Sequence, residues 1–381
     1  MDRRTFILAS GTMLPMALGS GAADGAGAKP VKSARPSAVH PYLMKLGCQS
    51  MPSSDAHFAD FARFGVTNIC ARATVADGRA YPTVDELVAL RKMAERHGLS
   101  LDMLHPEMLD STHIDREKRP AIMLGGPDRD RDIEAFATTL RNCAKAGIPA
   151  VKYNMSMLGV LRTDPVPGRG GSHYFGWDES KAKPATPLTR AGVVDADLFW
   201  ERITYFLDRI VPVANETKVR IACHPQDPGT PPGGYQGITN VLGTVEGLQR
   251  FVQINESPYH GLNFCQGSVC ENLTDPARQI FDVIRWFGSR KKIFNVHFRN
   301  IQGHRGKFNE SFPDEGDIDM VKALQVYAEV GYDGMIMPDH VPGMDDPQVV
   351  NGQPVWTPRA ENFAFCYGYI RGLLQSAQRL S

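Results

Sequence analysis

The sequence lacks several features that would place a protein in a particular functional class. Among its 381 residues, 42 Lys and Arg balance 42 Asp and Glu, so the formal charge is zero. Such a surface offers no electrostatic footprint for nucleic acid or for an anionic membrane. Seven cysteines, an odd number without regular spacing, argue against a disulfide scaffold. Function must therefore come from a localised site, and the expected partner is a small molecule.

The amino terminus differs from the rest of the chain. Arg3 and Arg4 precede an apolar run that ends near Leu18, and small residues follow. This order is typical of a Tat export signal with a cleavage site, and the run is too short to cross a bilayer as a helix. We therefore predict a signal peptide and linker over residues 1–35, a catalytic domain over residues 36–381, and a periplasmic location. A disordered basic tail is the alternative interpretation.

The remaining chain alternates strand-like and helix-like segments, eight of each. Helices that separate apolar strands in this order imply a parallel sheet with right-handed crossovers. Eight units favour closure into a (β/α)8 TIM barrel, and no Gly-rich dinucleotide fingerprint follows the first strand. Strands are predicted over residues 43–49, 66–72, 99–104, 150–154, 219–224, 262–265, 292–298 and 334–339. Helices are predicted over residues 54–64, 84–97, 130–146, 196–215, 244–254, 275–287, 318–330 and 358–378.

Four of the predicted strands carry, at or next to their carboxyl end, a residue that can bind a metal ion. In a (β/α)8 barrel these ends meet on one face, where such barrels keep their chemistry. Two imidazoles, a thiolate and a carboxylate make a plausible ligand set for a divalent transition metal. The chain is therefore predicted to be a metal-dependent enzyme. The ligands are His224 in VRIACH, Cys265 in GLNFC, His297 in IFNVHF and Asp339 in MIMPDH.

Residues beside these ligands could take part in catalysis. His340 follows Asp339 and titrates near neutral pH, which suits a general acid or base. Strand alternation would turn it away from Asp339, so it faces the site only if the strand has already ended. We predict His340 and Asp339 as the catalytic pair, with a structural role for His340 as the alternative. Arg299, two residues after His297, would share its face and grip a substrate carboxylate, unless it forms a surface salt bridge.

Further candidates for substrate binding lie at other strand ends and in a long connection. Residues 155–195 are rich in Gly and Pro, and a connection of this length is usually functional, so we predict a lid over the site. Ordinary structural roles are the alternative for each candidate. The candidates are His105 after the third strand, Tyr153 and Asn154 at the end of the fourth, and Arg162 and Asp164 in the lid.

Short motifs occur in order over most of the chain. They are KYN (152–154) with RTD (162–164), ACHPQDP (222–228), GLNFCQGS (261–268), VHFRN (296–300), GDIDM (316–320) and PDH (338–340). In this order and spacing they resemble the D-mannonate dehydratase family, which has a xylose-isomerase-like TIM barrel. The resemblance is to a divergent member that carries an export signal.

The resemblance implies a cofactor, a substrate and a reaction. It assigns His224, Cys265, His297 and Asp339 as ligands of Mn²⁺, with Fe²⁺ or another divalent ion as alternatives. It implies the dehydration of a sugar acid, D-mannonate, to 2-keto-3-deoxy-D-gluconate by removal of the C2 proton and loss of the 3-hydroxyl. The sequence leaves a homo-oligomer open.

The chain also departs from the family pattern. It has Pro313-Asp314-Glu315 where the family usually carries a His-Glu pair, and residues 341–346 offer no counterpart to a family tyrosine. Two other functions therefore stay open. One is a xylose-isomerase-like sugar isomerase or epimerase, which would typically use Glu, Asp and His ligands rather than a cysteine. The other is a periplasmic sugar-acid binding protein without turnover.

Overall fold

Eight parallel strands form a closed barrel at the centre of the protein, in a computed structural model that describes residues 42–50, 53–76, 78–344, 348–350, 353–355 and 360–380. The strands are β1 (Lys45–Ser50), β2 (Asn68–Ala71), β3 (Ser100–Leu104), β4 (Ala150–Asn154), β5 (Arg220–His224), β6 (His260–Cys265), β7 (Ile293–His297) and β8 (Met335–Met337). Each pairs in parallel with the next, and β8 returns to β1 to close the ring. The prediction of a closed (β/α)8 barrel is confirmed.

A long helix follows each strand. The eight helices are α1 (Asp55–Arg63), α2 (Val84–Arg96), α3 (Arg129–Ala146), α4 (Ala196–Thr217), α5 (Val245–Gln253), α6 (Pro276–Ser289), α7 (Met320–Glu329) and α8 (Ala360–Leu380). Local sequence sets their ends. Thr83 and Glu86 form a capping box at the start of α2, in which each side chain accepts a hydrogen bond from the other's backbone N–H. Gly147 ends α3 in the left-handed conformation that glycine adopts without steric cost.

The core has two parts. The larger part lies between the strands and the helices, which present apolar faces inward, for example Phe136 of α3 and Phe206 of α4. The smaller part is a cluster from six strands that fills the barrel interior: Cys70, Met103, Ala150, Ala222, Phe294, Met335 and Met337. Fully burying one large apolar side chain contributes about 1.5–3 kcal/mol. The two parts of the core therefore supply much of the free energy that stabilises the fold.

The loops on the carboxyl face are joined into small sheets. Gly176–Asp178, from the predicted lid, pairs antiparallel with Lys307–Ser311, which forms a hairpin with Asn300–His304. Ser172–Tyr174 pairs with Val166–Pro167 and with Gly343–Met344, which follows β8. The 155–195 segment is therefore attached by backbone hydrogen bonds to the connections after β7 and β8.

The remaining short elements lie in the connections between the barrel strands and helices. They are the helices Ala121–Leu124 and Gln266–Cys270, the 3-10 turns Ile114–Arg116, Arg169–Gly171 and Glu179–Lys181, and the paired strands Gln348–Val350 and Gln353–Val355.

The predicted strands and helices agree with the structure to within a few residues at each end. The predicted export signal and linker, residues 1–35, lie outside the described residues. Among the helices of the described chain, none is long and apolar enough to cross a membrane.

Candidate active site

Four buried side chains converge at the carboxyl end of the barrel. The ligand atoms of His224, Cys265, His297 and Asp339 all lie within 4.8 Å of one another. His297 Nδ1 is 3.0 Å from Asp339 Oδ2, and the rings of His224 and His297 are 5.1 Å apart. The first three residues end β5, β6 and β7, and Asp339 comes two residues after β8. The structure therefore brings together all four predicted metal ligands.

Both histidines are held with one ring nitrogen available to the cluster. His224 Nδ1 lies 2.6 Å from the carbonyl oxygen of Pro225, to which it donates a hydrogen bond when it carries the proton, and this leaves Nε2 as a lone-pair donor. His297 Nε2 lies 3.2 Å from the side-chain amide nitrogen of Asn263, while its buried Nδ1 faces the carboxylate of Asp339 within the cluster. A metal-binding histidine usually donates its second N–H to an acceptor, as His224 can to the carbonyl of Pro225. The arrangement of the imidazoles fits a metal ion.

The local charges favour the ligand forms of these groups. Although burial opposes it, the Arg299 guanidinium and a hydrogen bond with His297 lower the pKa of the Cys265 thiol. Burial likewise opposes ionisation of Asp339, yet His297, His340 and Arg299 hold its pKa well below the usual range. Burial, together with the Lys152 ammonium, lowers the pKa of His224 to about 4. A thiolate, a carboxylate and a neutral imidazole are the states that bind a divalent ion.

Arg299 lies beneath this cluster and is almost fully buried. Its Nη2 is 3.3 Å from Cys265 Sγ and 3.1 Å from Asp227 Oδ2. Its Nη1 is 3.0 Å from Glu271 Oε1 and 2.5 Å from Glu310 Oε1. The surface salt bridge considered from the sequence is thus wrong, because the guanidinium is buried among three acids and a thiol. Its two Nη atoms are engaged by these groups, its Nε lies 3.5 Å from Asp339 Oδ2 without a hydrogen-bond partner among the described residues, and its side chain does not line the cavity described below.

Arg162 and His340 complete a second charged cluster beside the first. Arg162 reaches from the 155–195 segment to Asp227 at 2.7 Å and Glu310 at 2.5 Å. His340 Nδ1 is 2.6 Å from Glu310 Oε1, and its Nε2 is 3.8 Å from Asp339 Oδ2. Burial acts against protonation, but Glu310 and Asp339 together raise the pKa of His340 to about 9. Because β8 ends at Met337, the chain has left the strand, and both Asp339 and His340 face the cavity.

A small cavity of about 190 Å³ opens beside the metal-binding cluster. Sites for drug-sized ligands are roughly 300–1,000 Å³, so this cavity suits a small polar molecule. His105 and Asn154 line it, as predicted for substrate-binding residues. Other polar lining residues are Gln49, Asp110, Lys152, Gln226 and Asp227.

Of the other four predicted substrate-binding residues, Arg162 and Arg299 belong to the charged clusters beside the cavity, and two lie elsewhere. Tyr153 is buried in the layer between strands and helices, where its ring packs edge-on against Phe136 and beside Phe206. Alternation along β4 explains this, because Lys152 and Asn154 point into the barrel and the residue between them points out. Asp164 is exposed and does not line the cavity. Substrate contact by Tyr153 is therefore a wrong prediction.

Sequence reasoning missed the acids Asp227, Glu271 and Glu310, and the residues Lys152 and Gln49. Two signals were available. Asp227 stands in the ACHPQDP motif next to a ligand, and Lys152 shares the inward face of β4 with Asn154. Glu271 and Glu310 had no local signal, since they follow a short helix after β6 and sit in a hairpin after β7.

The closed barrel, which brings nitrogen, sulfur and carboxylate side chains together at the carboxyl ends of its strands, has the xylose-isomerase-like TIM-barrel fold. The mannonate dehydratase of Streptococcus suis serotype 2 shares this fold, with a TM-score of 0.73 at 24% identity over 88% of this chain and 94% of that one. A D-tagatose 3-epimerase-like protein shares the barrel at a TM-score of 0.55 and 14% identity over 88% of this chain and 99% of that one.

The family follows from the sequence comparisons. The family model for D-mannonate dehydratase (UxuA) matches residues 56–191 and 173–381. Mannonate dehydratase 2 of Halalkalibacterium halodurans is 32% identical over 297 residues, which cover 70% of this chain and 80% of that protein. Mannonate dehydratase of Thermotoga maritima is 30% identical over 300 residues, which cover 69% and 78% respectively. The chain belongs to the D-mannonate dehydratase family and is a hydro-lyase.

Proposed function

We propose that the protein dehydrates D-mannonate to 2-keto-3-deoxy-D-gluconate and one water, with a divalent metal bound by His224, Cys265, His297 and Asp339. The observation that carries the proposal is the convergence of these four buried ligands beside a small polar cavity. The residues fit a divalent transition-metal ion, because imidazole nitrogens, a thiolate sulfur and a carboxylate oxygen all bind such ions, and the family resemblance points to Mn²⁺ or Fe²⁺ among them. When bound, the ion would supply Lewis-acid stabilisation of the negative charge that develops as the C2 proton leaves.

The side chains of the site divide the remaining work. His340, protonated through its contact with Glu310, is placed at the cavity to give a proton to the departing 3-hydroxyl, which leaves as water. The Arg162 and Arg299 guanidiniums balance the buried acids and fix the position of Glu310. Asn154 faces the cavity, where its amide can hydrogen-bond to sugar hydroxyls, and His105 lines the cavity with its Nδ1 3.0 Å from Arg72 Nη2 and its Nε2 3.3 Å from Asp110 Oδ1. The 155–195 segment, attached to the loops after β7 and β8, covers this face and limits access of water.

A turnover assay tests the proposal. The Mn²⁺-loaded protein is incubated with D-mannonate, and formation of 2-keto-3-deoxygluconate is measured before and after treatment with a chelator. We expect product from the loaded protein, loss of activity with the chelator, and recovery when Mn²⁺ is restored. Folded, metal-loaded protein that makes no product would reject D-mannonate as the substrate.

We also propose that the protein is exported by the Tat route and acts in the periplasm. The support is the Arg3-Arg4 pair followed by the apolar run and small residues. Cell fractionation should find the protein in the periplasm, and changing both arginines to lysine should retain it in the cytoplasm. Cytoplasmic protein with an intact amino terminus would contradict this.

A further inference from the structure

Lys152 is a buried cation at the wall of the cavity. It is the third residue of β4, and its side chain points into the mouth of the barrel, where the cavity is also lined by His224 and Asp339. Only 5% of its surface is exposed. His105 and His224 line the same cavity as the Lys152 ammonium.

Few protein groups among the described residues balance the positive charge of this ammonium. Nζ donates to Gln49 Oε1 at 2.5 Å, and no carboxylate oxygen of the described residues lies within 4.0 Å of it. An ammonium has three donors, and Gln49 is its hydrogen-bond acceptor among the residues that the structure describes, so two donors stay available to the cavity. Placing a charge in a buried position without an opposite charge is costly, and proteins rarely keep such a group without a ligand for it. Arg162 and Arg299, in contrast, are each surrounded by carboxylates.

Gln49 gives the ammonium a defined position. Its side-chain oxygen accepts the hydrogen bond from Lys152, while its Nε2 lies 3.5 Å from Asp339 Oδ1. The amide therefore connects the lysine to a proposed metal ligand, and the charge is held beside the metal-binding cluster. An anionic group that approaches this cluster would meet the two free donors of Lys152.

We propose that Lys152 binds the carboxylate of the sugar-acid substrate and selects acids over neutral sugars. The inference rests on the proposed function and names the residue that recognises the substrate's charged end. Lys152 thus takes the role that the sequence assigned to Arg299, whose Nη donors are engaged by buried acids and whose side chain does not line the cavity. A charge-assisted hydrogen bond of this kind contributes about 1.5–3 kcal/mol, or roughly 10–100-fold in affinity.

The test compares a carboxylate ligand with its neutral amide. D-gluconate and D-gluconamide are titrated calorimetrically into the Mn²⁺-loaded wild type and the variants Lys152→Met and Lys152→Arg. We expect the wild type to prefer the acid, Lys152→Met to reduce that preference about 10–100-fold, and Lys152→Arg to restore part of it. Lys292→Met, at a lysine far from the cavity, should keep the wild-type preference. A merely structural role for Lys152 would weaken both ligands equally.

The outcomes separate this inference from the proposed function. If D-mannonate is turned over but Lys152→Met and Lys152→Arg both keep the wild-type preference, the role of Lys152 is overturned and the dehydratase stands. If D-mannonate is not turned over but the preference for the acid still depends on Lys152, the substrate is rejected and the carboxylate site stands.

Discussion

Each end of the barrel contains a buried lysine, and the two lysines differ in the protein groups that surround their ammonium groups. Lys292 precedes β7 at the amino end, is 4% exposed, and donates to the carbonyl oxygens of Ser257 at 2.8 Å and His260 at 3.4 Å. The carboxylate of Glu256 lies 3.7 Å away. Lys152, equally buried at the carboxyl end, has only the amide of Gln49 as a hydrogen-bond partner within the described part of the chain. The amino end satisfies its cation with protein atoms, whereas the carboxyl end leaves its cation available to a ligand.

The histidines repeat this contrast. His260 begins β6 at the amino end, where its Nε2 is 2.9 Å from the carbonyl oxygen of Phe251 and its ring packs on that side chain. His224 and His297 end their strands and direct a nitrogen to the cluster with Cys265. The same residue type therefore supports the fold at one end and the chemistry at the other. The following predictions test that division, from the largest expected effect to the smallest.

The largest effect is expected from the ligand thiol. Cys265→Ala should lower kcat/KM by more than about 100-fold, because even changes to residues that orient metal ligands cost 10–100-fold. Metal content and turnover of D-mannonate are measured together. The matched control is Cys270→Ala, a buried cysteine of the same short helix region that is not part of the cluster. Equal metal loss in both variants would contradict the assignment of Cys265.

A smaller but still large effect should follow Glu310→Gln. The change leaves Arg162, Arg299 and His340 without their shared carboxylate, and breaking a buried ion pair costs about 3–5 kcal/mol. We expect a lower free energy of unfolding in urea and weaker catalysis. Asp314→Asn, which breaks the exposed pair with Arg169, is the control and should cost less than about 1 kcal/mol. Equal destabilisation of the two variants would show that the charged cluster is not important for stability.

The amino end should respond to pH through His260. Burial lowers its pKa from 6.5 to about 4, so the unfolded chain binds the proton more readily than the folded protein. Stability should therefore fall by about 3 kcal/mol as pH decreases from 6.5 to 4, at 1.36 kcal/mol per pKa unit. Urea unfolding of the wild type and His260→Gln across this range measures the difference. An identical pH dependence in the two proteins would reject the contribution of His260.

The two lysines should give opposite changes in stability. Lys292→Met removes the donor to two buried carbonyl oxygens and should destabilise the protein by about 1–3 kcal/mol. Lys152→Met removes a buried charge that lacks a carboxylate partner, and should be neutral or stabilising by about 1 kcal/mol. Thermal unfolding of both variants without ligand decides this. A large loss of stability in Lys152→Met would mean that its role is structural.

The barrel and the ligand set could be predicted from the sequence for a simple reason. Parallel strands joined by helices place all their carboxyl ends on one face, so residues that end separate strands must meet. His224, Cys265 and His297 depend only on that rule. Alternation of side chains along β4 also predicts that Tyr153 and Asn154 point to opposite faces of the strand, so Tyr153 could have been excluded from the site by sequence alone. These features follow from local periodicity, which a sequence displays directly.

Tertiary structure alone decided which charged groups became partners. Arg299 meets Asp227, Glu271 and Glu310, which come from the connections after three different strands. A sequence shows that an arginine lies on the inner face, but its periodicity does not show whether carboxylates from distant loops neutralise it. The same limit applies to Lys152, whose exceptional feature is the lack of a carboxylate nearby among the described residues. Chain order determines which strand ends meet, while the folding of the loops determines which charges are neutralised and which stay available to a substrate.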